Sequence, residues 1–201
     1  MSSNTFDAIV IGSGISGGWA AKELTEKGLK TLVLERGRDV VHLKDYPTAT
    51  KNPWEFAHRN KKSAAFKKEN PIVSKCYAFG ESSEHFFVKD TDHPYIQEKP
   101  YDWIRGYQVG GKSIMWARQV QRWSSFDFEG PARDGYAVDW PIRYKDLAEW
   151  YTYVERFVGV SGNKDGLDIL PDGDFLKPWE TNAVEDYFSK EVKKHYADRH
   201  V

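Results

Sequence analysis

The chain has 201 residues, of which 40% are hydrophobic and 29% charged, as expected of an ordinary globular protein. Its formal net charge of −1 gives no excess of positive charge for binding nucleic acid or an anionic membrane. The single cysteine, Cys76, excludes an internal disulfide and a thiolate metal cluster, and the six histidines show no clustered ligand spacing. We therefore expect neither a metal site nor a nucleic-acid partner.

The amino terminus carries no targeting pattern. The residues before Phe6 contain neither the basic nor the apolar segment of a secretory signal peptide. No apolar run approaches the roughly 20 residues that span a bilayer. These features predict a cytoplasmic protein without a membrane span, although export together with a secreted partner subunit stays open.

The first predicted elements are a strand, a helix and a second strand. Residues 6–11 form an almost continuous apolar run, which is typical of a strand buried on both faces of a parallel sheet. Apolar residues then recur at helical spacing, with Gly28 placed as a C-cap, before residues 30–34 form a second apolar strand. Between the first strand and the helix lies a complete G-x-G-x-x-G pattern, consisting of Gly12, Ser13, Gly14, Ile15, Ser16 and Gly17.

Each glycine of this pattern has a physical role in binding a dinucleotide. Gly12 permits the tight turn, Gly14 lets the backbone approach a pyrophosphate, and Gly17 allows close helix–strand packing. The positive end of the helix attracts the phosphate charge. Glu35 lies about 20 residues further on, where a carboxylate accepts from ribose hydroxyls and disfavours the 2′-phosphate of NADP. A glycine-rich turn without a nucleotide is the alternative, which the flanking strands and the acid disfavour.

The end of the second strand helps to choose the nucleotide. It reads Leu-Glu-Arg-Gly over residues 34–37, and the glycine pattern starts close to the first residue. This arrangement resembles the large superfamily of FAD-binding proteins more than the NAD dehydrogenases. FAD is therefore the expected cofactor.

The segment that follows has a looser pattern. The charged residues 51–70 are interpreted as a solvated loop or helix face rather than a basic docking patch. Residues 73–79 and 85–88 are predicted as strands, with a hairpin around Gly80, and a turn is predicted at residues 92–95. His93 lies beside a proline in that turn and is interpreted as structural rather than as a catalytic base.

A second glycine motif lies within residues 102–116. Its Gly110-Gly111 pair is followed by Ser113, and such a run can direct successive backbone N–H groups toward an anion or a flavin ring. Taken alone, the motif is equally consistent with a mobile turn.

Together, the two motifs resemble the glucose–methanol–choline (GMC) oxidoreductases, which are FAD enzymes that oxidise alcohols and sugars. The branch of pyranose 2-oxidase and the gluconate 2-dehydrogenase flavoprotein subunit is the most similar. The resemblance follows most of the chain and is sharpest at residues 11–18, 34–37, 105–116 and 138–147. The last segment is expected to open a helix that Gly159 ends, with an apolar face at Leu147, Trp150, Tyr151, Val154 and Phe157.

The resemblance implies a cofactor site drawn from both motifs. Residues 12–17 would hold the FAD pyrophosphate, with Glu35 at the adenosine ribose and Arg36 near the adenine. The second motif would run along the pyrophosphate and flavin through Arg105, Gly110, Gly111, Ser113 and Trp116. Pyranose 2-oxidases have a flavin-bonded histidine just before the tryptophan, but Met115 stands there in this chain. A thioether cannot form that bond, so non-covalent FAD is expected.

The carboxyl-terminal part contains one more predicted helix and no catalytic motif. Residues 182–194 have an Asn182/Glu185 cap and an apolar face at Val184, Tyr187, Phe188 and Val192. No further strand–helix–strand unit is evident after Glu35, and no position matches the catalytic His-His or His-Asn pair of the GMC family. We therefore expect an amino-terminal fragment that lacks the catalytic base and does not turn over alcohols by itself.

The expected fold class is α/β, an incomplete Rossmann-like FAD/NAD(P)-binding domain with parts of a second, substrate-domain region. Four segments are expected: a βαβ unit at 1–40, an irregular insertion at 41–100, the second motif and helix at 101–160, and the start of a substrate region at 161–201. The expected activity is hydride transfer from the CH–OH group of an alcohol, sugar or polyol to flavin N5. Another flavoenzyme class, or a truncated non-catalytic chain, remains as an alternative. The expected partners are the small substrate and an electron-acceptor subunit or cytochrome.

Overall fold

The computed structural model describes residues 4–199. The chain divides into two compact units, of which the first ends at Ala117 and the second begins at Arg118. This boundary lies inside the expected 101–160 segment. The second glycine motif and the helix expected after it therefore belong to different units.

The first unit begins with a βαβ arrangement. Strand β1 (Ala8–Ile11) is followed by helix α1 (Ile15–Glu26) and strand β2 (Thr31–Leu34). The two strands are parallel, with Ala8 opposite Thr31 and Ile11 opposite Leu34. Helix α1 has Lys27 as its C-cap, one residue before the predicted Gly28, which follows with a left-handed φ of 83°. The Rossmann-like α/β class expected from the sequence is confirmed for this part of the chain.

The close approach of α1 to the turn before it requires a glycine. A Cβ atom built on Gly17 would overlap the carbonyl oxygen of Gly12 and would lie 3.4 Å from the Val10 side chain. Backbone therefore contacts backbone at this point, and any side chain at position 17 would push the helix away from the strand.

The burial of β1 differs from the prediction. The sequence pattern predicts burial on both faces, but Ile9 is 60% and Ile11 85% exposed, whereas Val10 is only 8% exposed. Successive side chains of a strand point to opposite faces, and α1 covers the face of Val10. Within residues 4–199 the sheet has only two strands, and Ile9 and Ile11 on the other face stay in contact with solvent.

The strands predicted for residues 73–79 and 85–88 are wrong. Both stretches form turns and short 3₁₀ helices, at Val73–Lys75 and Glu84–Phe86. Their apolar residues pack into a small core of Val73, Phe79 and Phe87, against which Phe66, Cys76, Ile104 and Met115 lie. A short apolar run indicates only that its side chains are buried. Here they are buried although the backbone is irregular.

The hairpin predicted around Gly80 is also wrong, because backbone turns and side-chain hydrogen bonds replace the ladder. The amide of Ser83 donates to the carbonyl of Gly80 at 3.0 Å. The Glu81 carboxylate accepts from the amides of His58 and Asn60 at 2.9 and 3.0 Å. The charged stretch from 51 to 70 is largely exposed and contains helix α2 (Ala64–Glu69), in agreement with its interpretation as a solvated segment.

The second unit contains three helices among its described residues: α3 (Ser125–Asp134), α4 (Tyr144–Val158) and α5 (Ala183–His195). Helix α4 ends before Gly159 as predicted, and α5 has the predicted cap, in which the Asn182 side chain accepts from the amides of Val184 and Glu185. Helix α3 was not predicted, because Gly130 and Pro131 lie inside it. Its Phe128 is buried beside Trp123 and Trp140.

The apolar face predicted for α4 is only partly buried, and the most buried side chain of this helix is a carboxylate. Trp150 and Phe157 are 55% and 61% exposed, whereas Glu155 is 7% exposed. Glu155 forms a bidentate ion pair with Arg122, with N–O distances of 2.8 and 2.6 Å. Burial alone would raise the pKa of Glu155, but hydrogen bonds from Arg122 and the Asp174 amide hold this pKa below its ordinary value.

None of the helices between residues 4 and 199 is both long and apolar enough to cross a bilayer. In the same range, no three histidine, cysteine or acidic side chains lie together as a metal-binding group.

We expect the Arg122→Met variant to lose about 3–5 kcal/mol of stability, because it leaves the Glu155 carboxylate buried without its partner. Urea unfolding followed by circular dichroism measures this loss. As a control, Lys190→Ala breaks the exposed pair of Lys190 and Asp186, and this change should cost less than about 1 kcal/mol. Equal stabilities of the two variants would contradict the prediction.

The Gly17→Ala variant should lose about 3 kcal/mol of stability, because its new methyl group overlaps the Gly12 carbonyl oxygen. Gly14→Ala is the matched control, since a Cβ built on Gly14 meets no atom within 4 Å. Its stability should stay within about 1 kcal/mol of the parent chain. A stable Gly17→Ala protein in the same urea titration would show that α1 can move away from the turn at little cost.

Candidate functional site

A cavity of about 490 Å³ lies in the first unit, where β1 meets α1. The glycine-rich turn forms one side of it, and residues from the second glycine motif form the other. It brings together most of the predicted cofactor-binding residues, although they are about 100 positions apart in the sequence. Its lining consists of Ile11, Gly12, Gly14, Ile15, Ser16, Gly17, Lys112, Ser113 and Trp116.

The amino-terminal end of α1 faces this cavity and differs from the other long helices. Gly14 is its N-cap, no side chain caps its first amides, and its first turn holds no acidic residue. Helices α3, α4 and α5 instead carry a carboxylate in the first turn that accepts from the N-cap amide. The first amides of a helix have no partner within the helix, and together they favour a bound anion. The start of α1 is therefore suited to a phosphate group.

The second glycine motif packs directly on the glycine-rich turn. Gly110 and Gly111 have left-handed backbones, with φ of 84° and 55°, which favour glycine. A 3₁₀ helix, Gly111–Ile114, follows, and the Ser113 hydroxyl donates to the Gly110 carbonyl at 2.5 Å. A Cβ atom built on Gly111 would lie only 3.3 Å from the Cα of Gly14. The two motifs thus meet backbone to backbone.

Glu35 binds to the glycine-rich turn rather than pointing away from the protein. One of its carboxylate oxygens accepts from the Ser13 hydroxyl at 2.6 Å and from the Ser13 amide at 2.8 Å. The other oxygen accepts from the Gly37 amide at 2.8 Å. The hydrogen bonds from Ser13, and next that from Gly37, lower the pKa of Glu35 to about 2. The site therefore holds a permanent negative charge at neutral pH.

The two arginines predicted to contact the cofactor lie apart from the cavity lining. The guanidinium of Arg36 stacks 3.8 Å above the Tyr107 ring. Arg105 is 6% exposed and donates to the Tyr107 hydroxyl at 3.0 Å and to the His93 carbonyl at 2.5 Å. Its Nε is buried without a partner. Both arginines therefore pack against the ring of Tyr107, which also contacts the His93 ring.

Lys112 is the functional candidate that the sequence analysis missed. It is the charged residue of the cavity lining, and it stands between Gly111 and Ser113 in the second motif. An ammonium group near an uncapped helix amino terminus favours an anionic ligand. The sequence signal that could have identified it is its position inside the Gly-Gly-x-Ser pattern, where this lysine directly follows Gly110 and Gly111.

Met115, on which the expectation of non-covalent FAD rests, is packed into the protein. Its sulfur lies 3.2 Å from the Gln108 amide nitrogen, and its side chain packs against the core of Val73, Phe79 and Phe87. It is not part of the cavity lining.

These observations define a Rossmann-type dinucleotide-binding unit, and comparison with known proteins agrees. Residues 10–67 match the NAD(P)-binding Rossmann-like domain family. The chain is 27% identical over 188 residues to the fructose dehydrogenase large subunit of Gluconobacter japonicus, covering 89% of this chain and 31% of that protein.

Two further relatives have similar identity. They are 2-methyl-1,2-propanediol dehydrogenase of Mycolicibacterium austroafricanum and paromamine 6'-oxidase of Streptomyces fradiae, each 26% identical. Each match covers 80% of this chain. It covers 26% of the length of the first protein and 24% of the length of the second. The chain thus spans less than a third of the length of these curated relatives. All three are oxidoreductases by name, and this chain is related to them.

One solved structure covers a similar stretch. An FAD-dependent oxidoreductase from Chaetomium thermophilum is 17% identical, with a TM-score of 0.42, over 94% of this chain and 30% of that one.

We expect Lys112→Gln to weaken binding of a pyrophosphate-containing dinucleotide about two- to fivefold, because an exposed charge adds a modest attraction. Isothermal titration at low salt measures the effect, which should shrink as salt screens the charge. Lys61→Gln makes the same charge change at an exposed position outside the lining and should leave the affinity unchanged. Equal losses in both variants would indicate a general effect of net charge instead.

Proposed function

We propose that this chain forms the FAD-binding part of a GMC-type oxidoreductase that oxidises the CH–OH group of an alcohol, sugar or polyol. The observation that carries the proposal is the cavity at the start of α1. Both motifs that resemble the GMC family contribute to its lining. The named substrates of the relatives, which include fructose and a propanediol, support this class of substrate.

The residues of the cavity fit a dinucleotide. Its volume of about 490 Å³ lies within the usual range of small-molecule sites. The uncapped start of α1 suits the pyrophosphate, and Gly14 leaves open space where a side chain would stand. A Cβ atom on Gly14 would narrow this space.

The second motif adds support for FAD over NAD to that given by the Leu-Glu-Arg-Gly segment at residues 34–37. The glycine-rich turn alone could hold one of the two nucleotide halves of a dinucleotide. Lys112, Ser113 and Trp116 extend the cavity on the opposite side, where the other half would lie. Trp116 offers an aromatic surface there, and it is partly exposed. Bound FAD would supply the hydride acceptor for alcohol oxidation. The protein's own residues would orient its pyrophosphate and ring.

The proton acceptor of the reaction is expected outside this cavity. Alcohol oxidation requires a base within hydrogen-bond reach of the substrate hydroxyl. Among residues 4–199, neither a histidine nor a carboxylate lines the cavity. We therefore assign this part of the protein to cofactor binding and not to proton transfer. An electron-acceptor subunit is proposed as a partner, since one relative is named as the large subunit of its enzyme.

The chain reconstituted with FAD should show flavin absorption near about 375 and 450 nm after gel filtration. The flavin should separate from the polypeptide on denaturation in guanidinium, because Met115 cannot bond to it. NAD and NADP in the same titration should bind at least about tenfold more weakly than FAD.

The Gly14→Ala variant, whose fold we expect to be intact, should bind FAD about tenfold more weakly because its methyl group enters the pyrophosphate position. A chain that remains colourless in excess FAD would contradict the proposed cofactor. Flavin that stays with the denatured polypeptide would contradict non-covalent binding alone.

A further inference from the structure

Ser13 makes hydrogen bonds to two segments that are distant in the sequence. Its hydroxyl donates to the Glu35 carboxylate at 2.6 Å, and the Gly110 amide donates to the same hydroxyl at 2.9 Å. These two hydrogen bonds, together with that of the Ser13 amide to Glu35, are here called the Ser13 bridge. It joins the glycine-rich turn, the end of β2 and the second glycine motif.

We propose that the Ser13 bridge is a positioning device that fixes the separation of the two sides of the cavity before a ligand enters. In this proposal Ser13 is a positioning residue, and Glu35 holds the Ser13 hydroxyl in place. The inference rests on the proposed function only for the identity of the ligand, because the hydrogen bonds exist within the chain itself.

The directions of the hydrogen bonds explain why a serine stands at position 13. An ionised carboxylate only accepts, so the single hydroxyl proton of Ser13 is directed to Glu35. The lone pairs of the hydroxyl then remain for the Gly110 amide. A short side chain with one donor and an acceptor can make both contacts, whereas alanine can make neither.

The position of Gly110 gives the bridge its influence on the cavity. Gly110 immediately precedes the 3₁₀ helix Gly111–Ile114, which carries Lys112 and Ser113 to the lining, and Trp116 follows shortly after. Gly111 lies against Gly14 without any side chain between them. A glycine–glycine contact buries little surface. The hydrogen bond from the Gly110 amide to Ser13 therefore joins this segment to the glycine-rich turn, while backbone hydrogen bonds to Arg38 hold the residues just before it.

The environment of Glu35 supports its role in the bridge. Its carboxylate accepts three hydrogen bonds from Ser13 and Gly37, which occupy most of about four acceptor positions. Hydrogen bonds to a charged acceptor are stronger than neutral ones, so Glu35 is held in a fixed orientation. Its low pKa, to which the Ser13 hydroxyl contributes most, agrees with this geometry.

The first test measures hydrogen exchange of the Gly110 amide by NMR in the whole chain, without any ligand. Ser13→Ala should speed exchange at Gly110 by about tenfold or more, because the amide loses its acceptor. Ser13→Thr keeps the hydroxyl and should restore protection. Ser16→Ala, a serine of the same turn, should leave Gly110 exchange unchanged. Unchanged protection of the β1 and β2 amides shows that the variants are folded.

The second test is a double-mutant cycle on FAD affinity. Ser13→Ala and Glu35→Gln should each weaken FAD binding about tenfold. The double variant should bind FAD no more than about twofold less tightly than the single variant with the lower affinity. Such non-additive losses are expected only if Glu35 acts through Ser13. Fully additive losses would overturn the proposal and would indicate that Glu35 contacts the ligand independently.

The two tests separate failure of this inference from failure of the proposed function. Unchanged Gly110 exchange in Ser13→Ala would overturn the bridge, even if the chain binds FAD normally. Faster Gly110 exchange in a chain that binds no FAD would support the bridge while contradicting the proposed cofactor.

Discussion

The contact between Gly17 and Gly12 determines how the first unit is built. Because backbone meets backbone there, α1 starts directly beside the end of β1 and its first amides open into the cavity. The second motif also approaches this turn through a glycine, since a Cβ atom on Gly111 would lie 3.3 Å from the Cα of Gly14. Three short backbone segments thus converge on one place, and the absence of side chains creates the space. Hydrogen bonds of Ser13 then join these segments, while Met115 packs the end of the second motif against the apolar core.

Charge is distributed unevenly around this space. The uncapped end of α1 and Lys112 make the cavity attractive to an anion, whereas Glu35 places a negative charge behind the turn. The carboxylate stays charged, but its three hydrogen bonds go to Ser13 and Gly37 and not to the first amides of α1, which remain open to an anion. Helices α3, α4 and α5 use carboxylates to satisfy their own first amides. Helix α1 differs from them because it has no such carboxylate, so its first amides stay open to an anion.

Sequence patterns predict the local features of this protein better than its long-range contacts. The βαβ unit and helices α4 and α5 follow from glycine spacing, apolar periodicity and capping residues, all of which act within a few positions. The strands expected at 73–79 and 85–88 fail because side chains from distant segments bury that region without a ladder. Helix α3 was missed since Gly130 and Pro131 normally end helices. Pairing of Arg122 with Glu155, and of Ser13 with Gly110, depends on tertiary structure that no local pattern encodes.

The solvent-exposed face of β1 has a consequence for the behaviour of the chain in solution. Ile9 and Ile11 stand side by side on a face that no described residue covers, and the outer edges of both strands expose unpaired backbone groups. A two-stranded sheet is only marginally stable in water by itself, so this one depends on α1 for its cohesion. An apolar face and open strand edges of this kind favour pairing with further strands, from the same protein or from another molecule.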